Sequence, residues 1–256
     1  QVYYGRNRAT AATDKAVDNT AGEMIYYNGV PADTLVYCAS NGGATEDAAN
    51  VWNSGIPYLV GKKDPYEAQT TIPNYNWSVT YTAEELTWIL EQKGYSIGTV
   101  QNVYVSEFTP MGNVSKVTFE GSRGSVTVRG ETCRTIFYSS TYNKSVKSQR
   151  FTIHGGGVSS AGIYVNDGDT RLSSLSGVSV LSGSGKTSTL GTSASVLSAS
   201  GTSTISGGTA GTSKSGTFTI TGTGSGHNLG MSQYGAKAMA ELGYTYDEIL
   251  EFYYTD

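Results

Sequence analysis

The sequence predicts an α+β protein dominated by strands, and three observations carry that reading. Gly (33 residues), Tyr (19) and abundant Ser and Thr favour strands joined by turns over a helical bundle. Several short runs alternate apolar and polar residues, whereas helical spacing is confined to brief segments. At 256 residues the chain is long enough to bury a sizeable core, as one large domain or two small ones.

Taken in order, residues 8–20 mix Ala with polar residues and predict a short helix that ends before Gly22. Residues 23–27 and 32–37 then read as strands joined through Asn28-Gly29 and Pro31, since Asn-Gly between apolar runs is a hairpin signal. That hairpin delivers 38–45 as a loop, in which Ser40, Asn41 and Thr45 offer hydroxyl and amide groups beside Gly42-Gly43. Residues 76–82 alternate as a strand. Thr82-Ala83-Glu84-Glu85 is a capping box that opens a helix through about Lys93, with Gly94 as its stop and Leu86, Ile89 and Leu90 on one face. Strands follow over 100–108, 114–120 and 125–129, with turns at Met111-Gly112-Asn113 and 121–124, and 132–137 reads as a short helix. This middle portion is scaffold, and its carboxylates Glu84, Glu85, Glu91, Glu107, Glu120 and Glu131 fit solvated faces or caps.

Residues 158–213 change character, with Ser, Thr and Gly dominating and an internal repeat. The run from Ile163-Tyr164-Val165 to Leu172-Ser173-Ser174-Leu175 parallels that from Val178-Ser179-Val180-Leu181 to Thr187-Ser188-Thr189-Leu190. A third copy runs from Ala194-Ser195-Val196-Leu197 to Thr202-Ser203-Thr204-Ile205. Each is a strand, a turn with Gly and a strand, and one pair alone buries too little, so the copies are expected to stack into a small inserted sheet unit. Gly185-Lys186-Thr187 does not make a phosphate loop, because Val180 stands where the first glycine would be.

Charged residues are 15% of the chain and the net charge is −4, which argues against nucleic acid as a partner. No run approaches the ~20 apolar residues of a spanning helix, and the start lacks the basic-then-apolar pattern of a signal peptide. No membrane insertion is expected. Cys38 and Cys133 could form one disulfide or stay as two buried thiols, and sequence leaves both open. No Cys or His has a close neighbour of its kind, so no zinc, other metal or cofactor is expected.

The most informative stretch lies near the C-terminus. Gly222-Thr223-Gly224-Ser225-Gly226-His227-Asn228-Leu229-Gly230 leads through the second of two histidines into Met231-Ser232-Gln233-Tyr234-Gly235-Ala236-Lys237, a small-residue helix start. Closely spaced glycines suit a tight turn or close backbone approach, while His227, Ser232, Gln233 and Tyr234 supply polar tips around it. His154, the other histidine, sits in strand alternation after Phe151-Thr152-Ile153 and reads as structural.

Together with Gly243-Tyr244-Thr245-Tyr246-Asp247-Glu248-Ile249-Leu250-Glu251-Phe252-Tyr253-Tyr254, this motif resembles the end of the SpoIID/LytB family. The likeness continues upstream in family order: Gln1-Val2-Tyr3-Tyr4-Gly5, Ala16-Val17-Asp18-Asn19-Thr20-Ala21-Gly22-Glu23 with Tyr27-Asn28-Gly29, Tyr37-Cys38-Ala39-Ser40-Asn41-Gly42-Gly43-Ala44-Thr45-Glu46, then Asn50-Val51-Trp52 and Pro57-Tyr58-Leu59. It covers roughly 1–157 and 214–256, which implies a SpoIID-like core with short helices, split by the repeat at 158–213.

The resemblance implies peptidoglycan glycan strands as the ligand and a bacterial, extracytoplasmic setting, in the cell wall or secreted. Family members of the sporulation type are lytic transglycosylases that prefer strands stripped of stem peptides. One glutamate protonates the glycosidic oxygen between MurNAc and GlcNAc, then helps the muramoyl 6-hydroxyl close onto C1 to give a 1,6-anhydro sugar. The resemblance places that glutamate ahead of the Gln1 block, so the expectation is a trimmed or processed start; Glu23 and Glu46, the carboxylates nearest the matching motifs, do not occupy its position. Some relatives carry a His and Cys cluster at the central motif, whereas here Cys38 stands where His is usual, Asn41 where Ser or Cys is usual, and Ala44 has no ligand atom.

Ser40, Asn41 and Thr45 of the first loop and His227, Ser232, Gln233 and Tyr234 of the second are the expected substrate-binding residues, with the rings of Tyr37, Trp52 or Tyr234 packing on pyranose faces. Both loops are then expected to face one concave surface. Three functions remain open: a domain of a glycan-strand lytic transglycosylase, a non-catalytic wall-binding or amidase-enhancing module with a cell-wall amidase as partner, and a structural or adhesive β protein suggested by the repeats.

Overall fold

The computed structural model describes residues 5–52, 54–155 and 216–255, together with six strand segments within 163–206. Helix α1 (Ala11–Asn19) starts at Thr10, whose side chain forms a capping box with Thr13. Strands β1 (Tyr26–Tyr27) and β2 (Val30–Pro31) pair around Asn28-Gly29, whose φ values of 49° and 76° are the left-handed pair of a type I′ turn. The hairpin is shorter than the sequence predicts. Beyond the paired strands one more bond forms, from Ala32 N–H to Ile25 O at 2.9 Å, and β3 (Tyr37–Cys38) pairs instead, in parallel, with Met231–Ser232.

After the short α2 (Ala48–Trp52), β4 (Asn76–Thr82) feeds α3 (Ala83–Gln92), whose N-cap Thr82 and N3 residue Glu85 satisfy each other's backbone N–H groups. A three-stranded antiparallel meander follows, β5 (Val100–Phe108), β6 (Val114–Gly121) and β7 (Gly124–Arg129), and α4 (Thr132–Thr135) closes it. A second three-stranded sheet is ordered β4, β15 (Thr217–Thr223), β8 (Phe151–Gly155), so a strand from the C-terminal part sits between two from the N-terminal part.

Between β8 and β15, the strands β9 (Ile163–Val165) and β10 (Thr170–Leu172), β11 (Ser179–Leu181) and β12 (Thr187–Thr189), and β13 (Ser193–Ser198) and β14 (Gly201–Ser206) pair two by two. They form three separate two-stranded ladders among the described residues, not one joined sheet. The Gly-containing turns that join the strands of the first two copies, expected near 166–168 and 183–185, lie outside the described residues, as does Ser200 of the third, expected at Ser200-Gly201. The chain ends with β16 (Met231–Ser232), α5 (Gln233–Glu241) and α6 (Tyr246–Tyr253). The result is a mixed, β-dominated α+β fold, and no helix among the described residues is long and apolar enough to cross a membrane.

The main core lies where the two three-stranded sheets, α3 and α4 meet. Trp77, Tyr81, Phe218, Ile220 and Phe151 point inward against Leu86, Ile89, Leu90, Val117, Phe119 and Phe137. Strand alternation therefore sends Asn76, Ser78, Thr80, Thr152 and His154 outward. A smaller cluster of Ala48, Val51, Tyr58, Leu59 and Leu229 backs the first motif loop, and a third, of Met239, Ile249 and Tyr253, joins α5 to α6.

Candidate functional site

The two motif loops meet through backbone. Ser40 and Ser225 exchange N–H to carbonyl bonds at 3.2 and 2.8 Å, Glu46 N–H donates to Asn228 O at 2.8 Å, and Tyr234 N–H donates to Ala39 O at 3.2 Å. The side chains expected to line an open surface turn mostly inward. Ser40, Asn41, Thr45 and Ser232 are all buried, a correction to the shared concave surface expected from sequence. Only His227, Gln233 and Tyr234 of the expected binding set keep solvent access.

The physical reason is a pair of buried carboxylates that sequence reading had not singled out. Glu67 Oε2 accepts the Ser40 hydroxyl at 2.9 Å, and its Oε1 accepts the Asn41 backbone N–H at 2.7 Å and the Ser232 hydroxyl. Asp64 Oδ2 accepts the Asn41 amide at 2.8 Å and the Tyr253 hydroxyl at 2.6 Å, while its Oδ1 accepts the Tyr66 N–H at 3.0 Å. Buried charges persist only when hydrogen-bonded in this way, so the neighbouring hydroxyl and amide groups are drawn to them. Ser232 also caps α5 by accepting Gly235 N–H at 3.0 Å. A Cβ at position 235 would lie 1.9 Å from Tyr253 Oη and 2.6 Å from Asp64 Oδ2, which explains the glycine in that helix. Asp64 and Glu67, three apart at a one-turn 3-10 helix (Glu67–Gln69), carry no sequence signal that separates them from solvated acids.

Thr45 is held the same way, donating its hydroxyl to Val60 O and accepting Lys62 N–H, each at 2.9 Å. Glu46 is sealed as well: Asp47 N–H and Asn50 Nδ2 donate to Oε1, and Thr109 Oγ1 (2.6 Å) and Asn113 Nδ2 (2.8 Å) donate to Oε2. Glu23 stays exposed, accepting the Tyr246 hydroxyl at 2.7 Å beside a cavity of about 830 Å³. Cys38 and Cys133 are both free and buried. Burial, and for Cys38 the Glu67 carboxylate next to it, pushes each thiol up to about 12.

His227 Nδ1 accepts the Leu229 N–H at 3.0 Å, and its ring stands 6.0 Å from that of Trp52. Burial lowers its pKa below the ordinary histidine value, Glu131 opposing and Arg134 reinforcing the shift. His154 is exposed on β8, with Nε2 2.9 Å from Thr152 Oγ1.

A groove of about 590 Å³ opens beside the first loop, lined among others by Asn76, Trp77, Phe108, Arg150, Thr152 and Thr223. Gly42 borders it, since a Cβ there would lie 2.9 Å from Thr223 O and 3.0 Å from Arg150 Cδ. The joined loops therefore brace one wall of the groove.

No family model matches the chain. Among curated proteins it is similar to the amidase enhancer of Bacillus subtilis (strain 168), 32% identical over 266 aligned positions that span 98% of this chain and 33% of that protein. Stage II sporulation protein D of the same organism is 28% identical over 240 positions, 93% of this chain and 48% of that protein. The chain belongs to the SpoIID/LytB family. A shorter match, 34% over 70 residues, is to stage II sporulation protein D of Bacillus amyloliquefaciens. The chain spans about a third and about half the length of the first two relatives. Within this SpoIID/LytB chain, the two motifs that carried the resemblance are the two loops that meet at Ser40 and Ser225.

Proposed function

We propose that the chain is the glycan-strand-binding part of a protein acting on the bacterial cell wall. The observation that carries this reading is the union of the two family motifs into one braced wall of an open groove. The names of the two relatives, amidase enhancer and stage II sporulation protein D, support a cell-wall role. Gln233, Tyr234 and His227 keep solvent access and are proposed to contact the glycan outside the lining of the groove, while Ser40, Asn41, Thr45 and Ser232 hold the loops in place through Glu67, Asp64 and Lys62.

In its finer form the proposal is lytic transglycosylase chemistry in the whole protein, extracytoplasmic, with the general acid the glutamate that the family resemblance implies and that no residue of the matching motifs here occupies. Glu46 does not offer that acid, because four donors occupy its oxygens. The 256-residue chain is thus expected to be retained by purified peptide-free glycan strands without releasing anhydromuramoyl products, read by co-sedimentation and mass spectrometry of the supernatant. Absence of retention would overturn the binding reading, and robust anhydro product would overturn the assignment of the acid.

The amidase-enhancing reading is favoured by one observation, the match to the amidase enhancer across 98% of the chain. Its mark would be a faster amidase on whole sacculi when the chain is added, with no retention on isolated glycan strands.

A further inference from the structure

Lys93, Arg134 and Lys147 come from three separate stretches of the chain and line one cavity of about 520 Å³, where Tyr138, Ser145 and Ser225 add hydroxyl groups. Among the described residues no carboxylate lines it. Lys93 follows α3 as its C-cap, and Arg134 lies on α4. Lys147 is pinned to the second motif loop, since its carbonyl accepts the Gly226 N–H at 2.9 Å. The cavity shares no lining residue with the groove of about 590 Å³ beside the first loop.

Elsewhere on the fold several lysines are matched by acids, Lys116 by Glu107, Lys144 by Glu85 and Lys237 by Glu241. The cations at the cavity are served less well. Arg134 Nη2 meets Glu131 Oε1 at 2.7 Å, while its buried Nε has no acceptor among the described residues. Lys93 Nζ donates to Thr135 O at 3.0 Å, a neutral carbonyl. Among the described residues neither Lys93 nor Lys147 has a carboxylate within ion-pairing distance. Glu131 thus answers one of the three positive charges, and two are left over. Burial lowers the Lys93 pKa, as expected of an ammonium that loses water without an acid beside it. Like charges gathered around one cavity repel each other, and a bound anion relieves that repulsion.

We propose that this cavity is a binding site for a phosphate monoester, with Lys93, Arg134 and Lys147 around the phosphate, Ser145 and Ser225 donating hydroxyls to its oxygens and the exposed Tyr138 ring flanking the organic group. Near neutral pH such an ester carries close to two negative charges on three terminal oxygens, which matches the two positive charges that no acid answers. A carboxylate, with one charge and two oxygens, would leave one of them unmatched. A nucleic-acid backbone needs a stripe of cations, whereas here they gather at a single point of a chain whose net charge is −4. The cavity is larger than a phosphate ion and within the range of small-molecule sites, so it has room for what the phosphate is attached to. This site does not depend on the glycan-binding reading, because the groove lies elsewhere on the surface.

The test is calorimetric titration of the 256-residue chain with glycerol 3-phosphate, inorganic phosphate and acetate, at one fixed ionic strength so that general screening is the same for all three. Glycerol 3-phosphate is expected to bind saturably, inorganic phosphate more weakly and acetate not at all. Loss of a charge-assisted hydrogen bond corresponds to about tenfold in affinity, so Lys93→Met and Lys147→Met are each expected to weaken glycerol 3-phosphate by about that factor. Lys237→Met, on α5 and away from the cavity, is expected to bind as wild type does. Both cavity lysines are exposed, and equal urea midpoints for the variants and wild type would show that their loss reads binding and not folding. Absence of saturable binding by either phosphate, acetate binding as tight as the ester, or wild-type affinity in both cavity variants would overturn the proposal. Equal affinity for the ester and for inorganic phosphate would overturn the place given to the organic group and assign the cavity to free phosphate.

Discussion

His227 holds its ring half-buried beside Trp52 and uses Nδ1 as an acceptor for Leu229 N–H, so the neutral tautomer carries its proton on Nε2. Protonation would break that bond and place a charge in a site that burial already disfavours, with Glu131 and Arg134 pulling in opposite directions. Because the folded pKa lies below the unfolded value of about 6.5, the unfolded chain binds the proton first as pH falls. Stability contributed by neutral His227 is therefore fully present above that pH and declines below it. Urea midpoints measured from neutral pH down to pH about 5 should fall more steeply for wild type than for His227→Phe; parallel curves would refute the assignment. At this scale the polar tips of both motifs were visible in the sequence, but their direction was not. Ser40, Asn41 and Ser232 serve Asp64 and Glu67, and nothing in the spacing of those two acids distinguishes a buried carboxylate from a solvated one.

Elements whose signals are local were legible. The helix after Thr82 carries its own capping box and stop, and its inward face of Leu86, Ile89 and Leu90 follows from a spacing of three and four residues. The parallel pair of β3 and β16 was not legible, because two-residue strands have no periodicity and their partners lie far apart in the chain. The glycine run belongs to this scale too. Gly224 has φ 78°, and a Cβ there would lie 2.6 Å from Gly42 N and 2.9 Å from Ser40 O, both backbone atoms that cannot swing away. Gly243, with φ 96° and nothing within 4 Å, isolates backbone strain alone. Gly224→Ala should cost about 2 kcal/mol or more and Gly243→Ala about 1 kcal/mol, measured by chemical denaturation. Equal losses would show that the two loops do not pack as closely as described.

Over the whole molecule, β15 is the strand that joins the two halves, lying between β4 and β8 with the repeat strands in the connection. On that ground we propose that 158–213 is an insertion into a core made of 1–157 and 214–256. The two thiols sit in different parts of that core, Cys38 on β3 and Cys133 on α4, and burial holds both protonated, at about 12. Both should resist iodoacetamide in the native chain at pH about 8 and both should react in concentrated guanidinium, counted as mass adducts. Rapid native labelling of either one would contradict its placement. The sequence by itself determined the β-dominated class, the capped helix, most strand positions and the two motifs that mark the family, because periodicity, caps and turns act over a few residues. Only the tertiary structure decided which of the motif side chains face water and that Asp64 and Glu67 lie beneath them. Burial of a polar group depends on partners from distant parts of the chain, as with Ser232 and Glu67 or Tyr253 and Asp64, and no local pattern records who those partners are.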